Sequence, residues 1–175
     1  MNPLYKQQYD DGDNSEQRFK RIMESYGKTV KESTEEQNMF DHIDFFIHDN
    51  GIVYSVDVKG PKGKNRQDPN KAAKPANVSW NFVEFKNIKG NPGSLYGKAD
   101  FIAFEVTEGF VIANRKSLIN YCDTVVDKNT FVDRAEYAKY KMYSRTKWGN
   151  KDEISYIEIS KIPGAKLLND KDYKQ

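Results

Sequence analysis

The sequence predicts a mixed α/β fold, a central mixed sheet flanked by helices. Three observations support it: an amphipathic helical repeat near the start, an alternating hairpin after it, and later strands interspersed with two more helical patterns. Asn14 with Gln17 forms a capping box, and Phe19, Ile22, Met23 and Tyr26 then recur at helical spacing before Gly27. From Met39 the period becomes two. Ile43, Phe45 and Ile47 alternate with His42, Asp44, Phe46 and His48, and Asp49-Asn50-Gly51 supplies a hairpin turn into a second strand, Ile52 to Lys59.

Between these elements, Thr29 to Gln37 is polar and reads as a connector. Residues 60–79, rich in Gly, Pro, Lys and Asn, read as a long surface loop. Strands are expected at Trp80 to Lys86, Asp100 to Val106 and Phe110 to Asn114, and around Ile154, Ile157 and Ile159; helices are expected at Ser117 to Val126 and Phe131 to Tyr143. No repeat or linker divides the chain. The expectation is one domain over 1–175, with its core at about 14–160 and both ends, including a tail from Asn169, frayed.

Composition narrows the functional classes. With 31% charged residues and a mean hydropathy of -0.87, and with no apolar run of spanning length or secretory type, the chain is expected to be cytoplasmic and to make no membrane contact. The lone Cys122, set among Leu118, Ile119, Val125 and Val126, reads as a buried structural thiol. A net charge of +2 says little about partners. Its distribution says more, because six basic residues (Lys59, Lys62, Lys64, Arg66, Lys71, Lys74) face one acid, Asp68, within 59–74. A segment of that kind suits a polyanion such as DNA, with salt-dependent binding.

The chemistry is concentrated in 41–59. Strand side chains alternate, so Asp57 and Lys59 point the same way, and the hairpin brings Asp44 to the same face. Two carboxylates about 4 Å apart repel by roughly 4 kcal/mol at an effective dielectric near 20, a cost that a divalent cation reverses. Mg²⁺ prefers oxygen ligands and commonly uses one or two protein acids, so Asp44, Asp57 and the carbonyl of Val58 would suffice; Mn²⁺ can substitute. Such a cation eases deprotonation of a water and neutralises charge on a phosphodiester, while the Lys59 ammonium orients the attacking water or stabilises the developing charge.

This order of residues resembles the PD-(D/E)xK, or restriction-endonuclease-like, nuclease superfamily, with Asp44 as the first acid and Asp57-Val58-Lys59 as the D-x-K. The 13 residues from Asp44 to Asp57 resemble the spacing in its Holliday-junction-resolvase-type members. The resemblance covers about 14–105 and has Asp57 where Glu is commoner. It implies a restriction-endonuclease-like core, a Mg²⁺-dependent deoxyribonuclease, branched DNA as the favoured substrate, a homodimer, and a glutamate on the first helix. Glu16 matches that position, on the stripe of Phe19 and Met23; its other reading is a first-turn acid complementing the helix dipole.

Competing signals stay open. Asp41 is a second candidate for the first acid, although it shares the face of Ile43 and Phe45. Glu84-Phe85-Lys86 is another D/E-x-K pattern, read as a strand whose Glu84 could line the site. His42 and His48 do not make a zinc site, lying roughly 20 Å apart on an extended strand. Tyr96 and Lys98, in the glycine-bearing stretch 90–100, are candidates for substrate contact. A non-catalytic nucleic-acid-binding module is the alternative class.

Overall fold

In a computed structural model of the protein, residues 15–61 and 79–173 are described. A first helix, α1, covers 15–25, and the strands and second helix follow as β1 (Thr29–Glu32), β2 (Phe45–Asp49), β3 (Ile52–Lys59), β4 (Trp80–Lys86), β5 (Phe101–Val106), β6 (Gly109–Asn114), α2 (Arg115–Val125), β7 (Asp127–Val132), β8 (Lys141–Tyr143), β9 (Glu153–Glu158) and β10 (Lys166–Asn169).

The mixed α/β class holds, but the expected single central sheet is two sheets. One has six strands in the order β1-β2-β3-β5-β6-β10, the other four in the order β4-β9-β8-β7. Both are mixed: β3 pairs with β5 in parallel and β7 with β8 in parallel, while the remaining pairs are antiparallel. The expected third strand, β4, therefore opens a second sheet and does not extend the hairpin's own.

The six-stranded sheet is the wall between two apolar clusters. On one face, Phe19, Ile22 and Met23 of α1 meet Phe45, Ile47, Val56, Val58, Ala103 and Phe110, with the Phe19 and Phe110 rings edge to face at 5.2 Å. On the other, Ile102, Phe104 and Val106 meet Val83 and Phe85 of β4, Ile157 of β9, and Leu118 and Cys122 of α2. Strand alternation explains the division, since odd and even positions of β5 serve different layers. Buried on both faces, Ser55 to Val58 form one continuous buried run.

The hairpin turn falls where Asp49-Asn50-Gly51 places it, with positive φ at Asn50 and Gly51. Asn114 caps α2 by accepting from the Ser117 backbone N–H at 3.0 Å. Cys122 is buried, and burial pushes its thiol up to about 12. Other expectations give way. The polar stretch after Gly27 contains β1, an edge strand whose pairing with β2 satisfies its backbone and whose one buried residue is Val30. The aromatic run expected as a helix over 131–143 instead forms β7, a short 3-10 turn and β8; Tyr140, at φ 55, adopts a left-handed conformation that a helix cannot hold.

The tail is also held. β10 pairs with β6, and Asp170 accepts from Arg18 Nε at 3.2 Å and Arg21 Nη2 at 2.8 Å, bonds that hold its carboxyl down to about 2. Asp170→Ala is expected to cost about 2 kcal/mol, the worth of charged hydrogen bonds. A depressed carboxylate stabilises above its unfolded value of 3.8 and ceases to do so as pH falls through about 2, so chemical denaturation should show the loss at neutral pH and not in strong acid. An equal loss at both would separate the effect from this ion cluster. Among the described residues, no helix is long and apolar enough to cross a membrane.

Candidate active site

β3 delivers two of the expected residues to one place. With Val56 and Val58 packed toward α1, Asp57 and Lys59 point to the opposite face, where Lys59 Nζ stands 3.0 Å from Asp57 Oδ2. The Asp57 side chain is only 5% exposed and that of Lys59 is 21% exposed. Although at ion-pair distance, the ammonium is out of line for a hydrogen bond, so the buried Oδ2 accepts none.

Asp44 joins them from β2. The pairing of Phe45 with Val56 places Asp44, one step further on, opposite Asp57. Its Oδ2 accepts from the Val58 backbone N–H at 2.7 Å and its Oδ1 from Asn38 Nδ2 at 2.6 Å. Val58, expected to lend its carbonyl, thus orients Asp44 through its N–H.

The electrostatics follow from this enclosure. Burial, then the Asp57 charge, push the Asp44 carboxyl up to about 7, against the Val58 hydrogen bond. Burial likewise raises Asp57, opposed by Lys59. Burial alone would lower Lys59, but Asp57, with Asp44 and Glu84, outweighs it and holds the ammonium above its ordinary value. The cluster is a coupled acid pair bound to one cation.

Two further groups act on it. Glu84 of β4 contributes to the shifts of Asp57, Lys59 and His42, lines a narrow crevice with Lys59, Ser94 and Leu95, and accepts from the Ser94 backbone N–H at 3.2 Å. Gly93 permits that approach, because a Cβ there would lie 2.3 Å from the Glu84 carbonyl oxygen. His42, read in the sequence only as half of a rejected zinc pair, is the residue that reading missed. Its imidazole is lowered by burial and by Lys59, and it occupies a left-handed turn at φ 53 just before Asp44. No two-residue period signals such a position.

The remaining candidates fall elsewhere. Glu16 lies on α1, whose apolar stripe packs on the Val56 and Val58 face of the sheet. Asp41 is paired with Lys98 at 2.9 Å and sits beside His42. Tyr96 is turned toward Phe85, with Lys128 and Asp123 as its charged neighbours. Lys62, Lys64, Arg66, Lys71 and Lys74 lie outside the described residues.

The donor set suits a hard divalent cation. Among the described residues no group of three or more His, Cys, Asp or Glu is set to hold a metal. Yet Mg²⁺ commonly takes one or two carboxylates, and Asp57 Oδ2 is a buried acceptor with no hydrogen-bond donor. The fold and the cluster together define a mixed α/β protein of two mixed sheets with a buried aspartate, a half-buried one and a lysine at the end of its hairpin. No family model, no curated protein and no solved structure matches the chain.

Proposed function

We propose that this chain is a divalent-metal-dependent nuclease that hydrolyses phosphodiester bonds in DNA. The observation that carries the reading is the convergence of Asp44, Asp57 and Lys59 on one face at the end of the β2-β3 hairpin. The order acid, hairpin, D-x-K, in which the chain resembles PD-(D/E)xK nucleases, supports the same class.

Asp44 and Asp57 would hold Mg²⁺ or Mn²⁺, which when bound supplies Lewis-acid polarisation and charge neutralisation to the phosphodiester. Asn38 and the Val58 N–H fix the Asp44 carboxylate in place. Lys59, fully charged at neutral pH, offers its ammonium to the phosphate oxygens as negative charge grows on them. Glu84, which lines the crevice beside Lys59, would serve as an accessory acid. Branched DNA as substrate and action as a homodimer follow from the resemblance alone.

The test is cleavage of linear, nicked and four-way DNA in Mg²⁺, Mn²⁺ or EDTA by the wild type and by Asp57→Asn. Metal-dependent cleavage lost in Asp57→Asn is expected. Cutting that persists in EDTA, or in the variant, removes the mechanism; binding without cutting in any metal reassigns the chain to the non-catalytic nucleic-acid-binding modules.

A further inference from the structure

The segment entering the site has an unusual build. Gln37–Asp41 is a π-helical turn, a rare conformation that is frequent at functional sites. It is pinned from several sides. Thr34 and Gln37 bond reciprocally, Thr34 N–H to Gln37 Oε1 at 2.9 Å and Gln37 N–H to Thr34 Oγ1 at 3.2 Å. Asn38 donates to Asp44, Ser33 Oγ donates to the Ile43 carbonyl at 2.5 Å, and the Lys98 N–H donates to the Asp41 carbonyl at 2.8 Å. Gly97 makes the last contact possible, since a Cβ there would lie 2.8 Å from the Asp41 carbonyl oxygen and 2.9 Å from His42 Cβ.

On this fixed turn stand Met39, 62% exposed, and Phe40, 70% exposed and the most exposed large hydrophobic side chain among the described residues. They contribute nothing to either apolar cluster. They are, however, one and two residues from Asn38, whose amide is bonded to Asp44. Ile52 and Val53 are also exposed, but they sit at the hairpin's other end, away from the acids.

Two apolar side chains flanked by Glu35, Glu36 and Asp41 are far too small a patch for a stable protein interface, which takes about 800 Å² per partner. A polynucleotide whose backbone reaches Asp44, Asp57 and Lys59 passes beside the turn, and its apolar surfaces are the faces of its bases. Glu35 and Glu36 repel phosphate from the turn's start, while at its end Lys98, with a side chain 74% exposed, offsets the charge of Asp41 at 2.9 Å. Met and Phe are among the side chains that enter base steps and unstack them. We infer that Met39 and Phe40 form a wedge that opens the base stack of duplex DNA beside the phosphodiester held at the Asp44–Asp57–Lys59 cluster.

This rests on the nuclease reading, and the experiment separates the two. A duplex carrying 2-aminopurine at successive positions is bound to Asp57→Asn, or to wild-type protein in EDTA should that variant fold poorly. Fluorescence should rise at one step, and the rise should vanish with Met39→Ala/Phe40→Ala. In Mg²⁺ the double variant, otherwise wild type, should cut intact duplex about tenfold more slowly yet cut normally where a mismatch has already unstacked that step. Unchanged fluorescence with a wild type that cuts DNA overturns the wedge and leaves the nuclease. Neither binding nor cutting of DNA ends both. A concentration-dependent dimer abolished by the double variant, with no fluorescence change, makes the turn a contact between two copies and overturns the wedge.

Discussion

Lys59→Ala is expected to lower folding stability by about 3–5 kcal/mol at mildly alkaline pH, because it leaves the buried Asp57 carboxylate, beside half-buried Asp44, without its cation. The Asp57 side chain is 5% exposed, and the Lys59 ammonium is its cationic partner, 3.0 Å from its Oδ2. Deleting the amine therefore leaves charge that water cannot reach. The same reasoning predicts that Asp57→Leu/Lys59→Met, which removes both charges, loses far less than Lys59→Ala alone. Urea denaturation of the two variants checks this. A double variant as unstable as the single would mean that Lys59 contributes through packing of its stem and not through charge.

Asp44 sets the second expectation, a stability that declines with pH in metal-free buffer. Its folded value is about 7 against 3.8 unfolded. Below 3.8 both states are protonated; between 3.8 and 7 the folded state keeps a proton that the unfolded state has shed. Stability is therefore fully present at low pH and is lost as pH rises through about 7, by about 4 kcal/mol in total. Asp57, raised by burial, acts in the same direction, whereas Asp170 acts oppositely and only in acid.

Denaturation curves at about pH 5 and about pH 8 should show the decline, and Asp44→Asn should flatten it. Millimolar Mg²⁺ should restore stability more at the higher pH, where the pair is ionised and able to bind it. A flat wild-type profile would show that Asp44 titrates as an ordinary surface acid.

Much of the site was legible because strand geometry is. The alternation in Ile52 to Lys59 places Asp57 with Lys59, and Asp49-Asn50-Gly51 sets the register that brings Asp44 opposite. What the pattern left open, as for Glu84, or missed, as for His42, depends on contacts between residues distant in sequence. Glu84 comes near Lys59 only because β4 belongs to a second sheet packed on the first, and no period within Trp80 to Lys86 announces which sheet a strand will join. The stripe of Phe19, Ile22 and Met23 was legible in the first helix, but which face of the sheet that helix covers is decided by the cluster around Phe19 and Phe110. His42 lies at a left-handed break in what read as a continuous strand. The residues from Phe131 to Tyr143 misled because aromatic spacing mimics a helical stripe, while the chain uses those rings along a sheet margin.

The partnership of β6 with β10 has a consequence during synthesis. β6 ends at Asn114, and its neighbour begins only at Lys166, after α2 and the strands β7, β8 and β9 of the second sheet. Until that late segment leaves the ribosome, β6 presents an open row of backbone donors and acceptors, the kind of margin at which nascent chains pair with one another. Arg18 and Arg21 of α1 likewise wait for Asp170, which follows β10. Completion of the larger sheet thus follows β9, and the chain is most open to self-association between the appearance of β6 and that of β10.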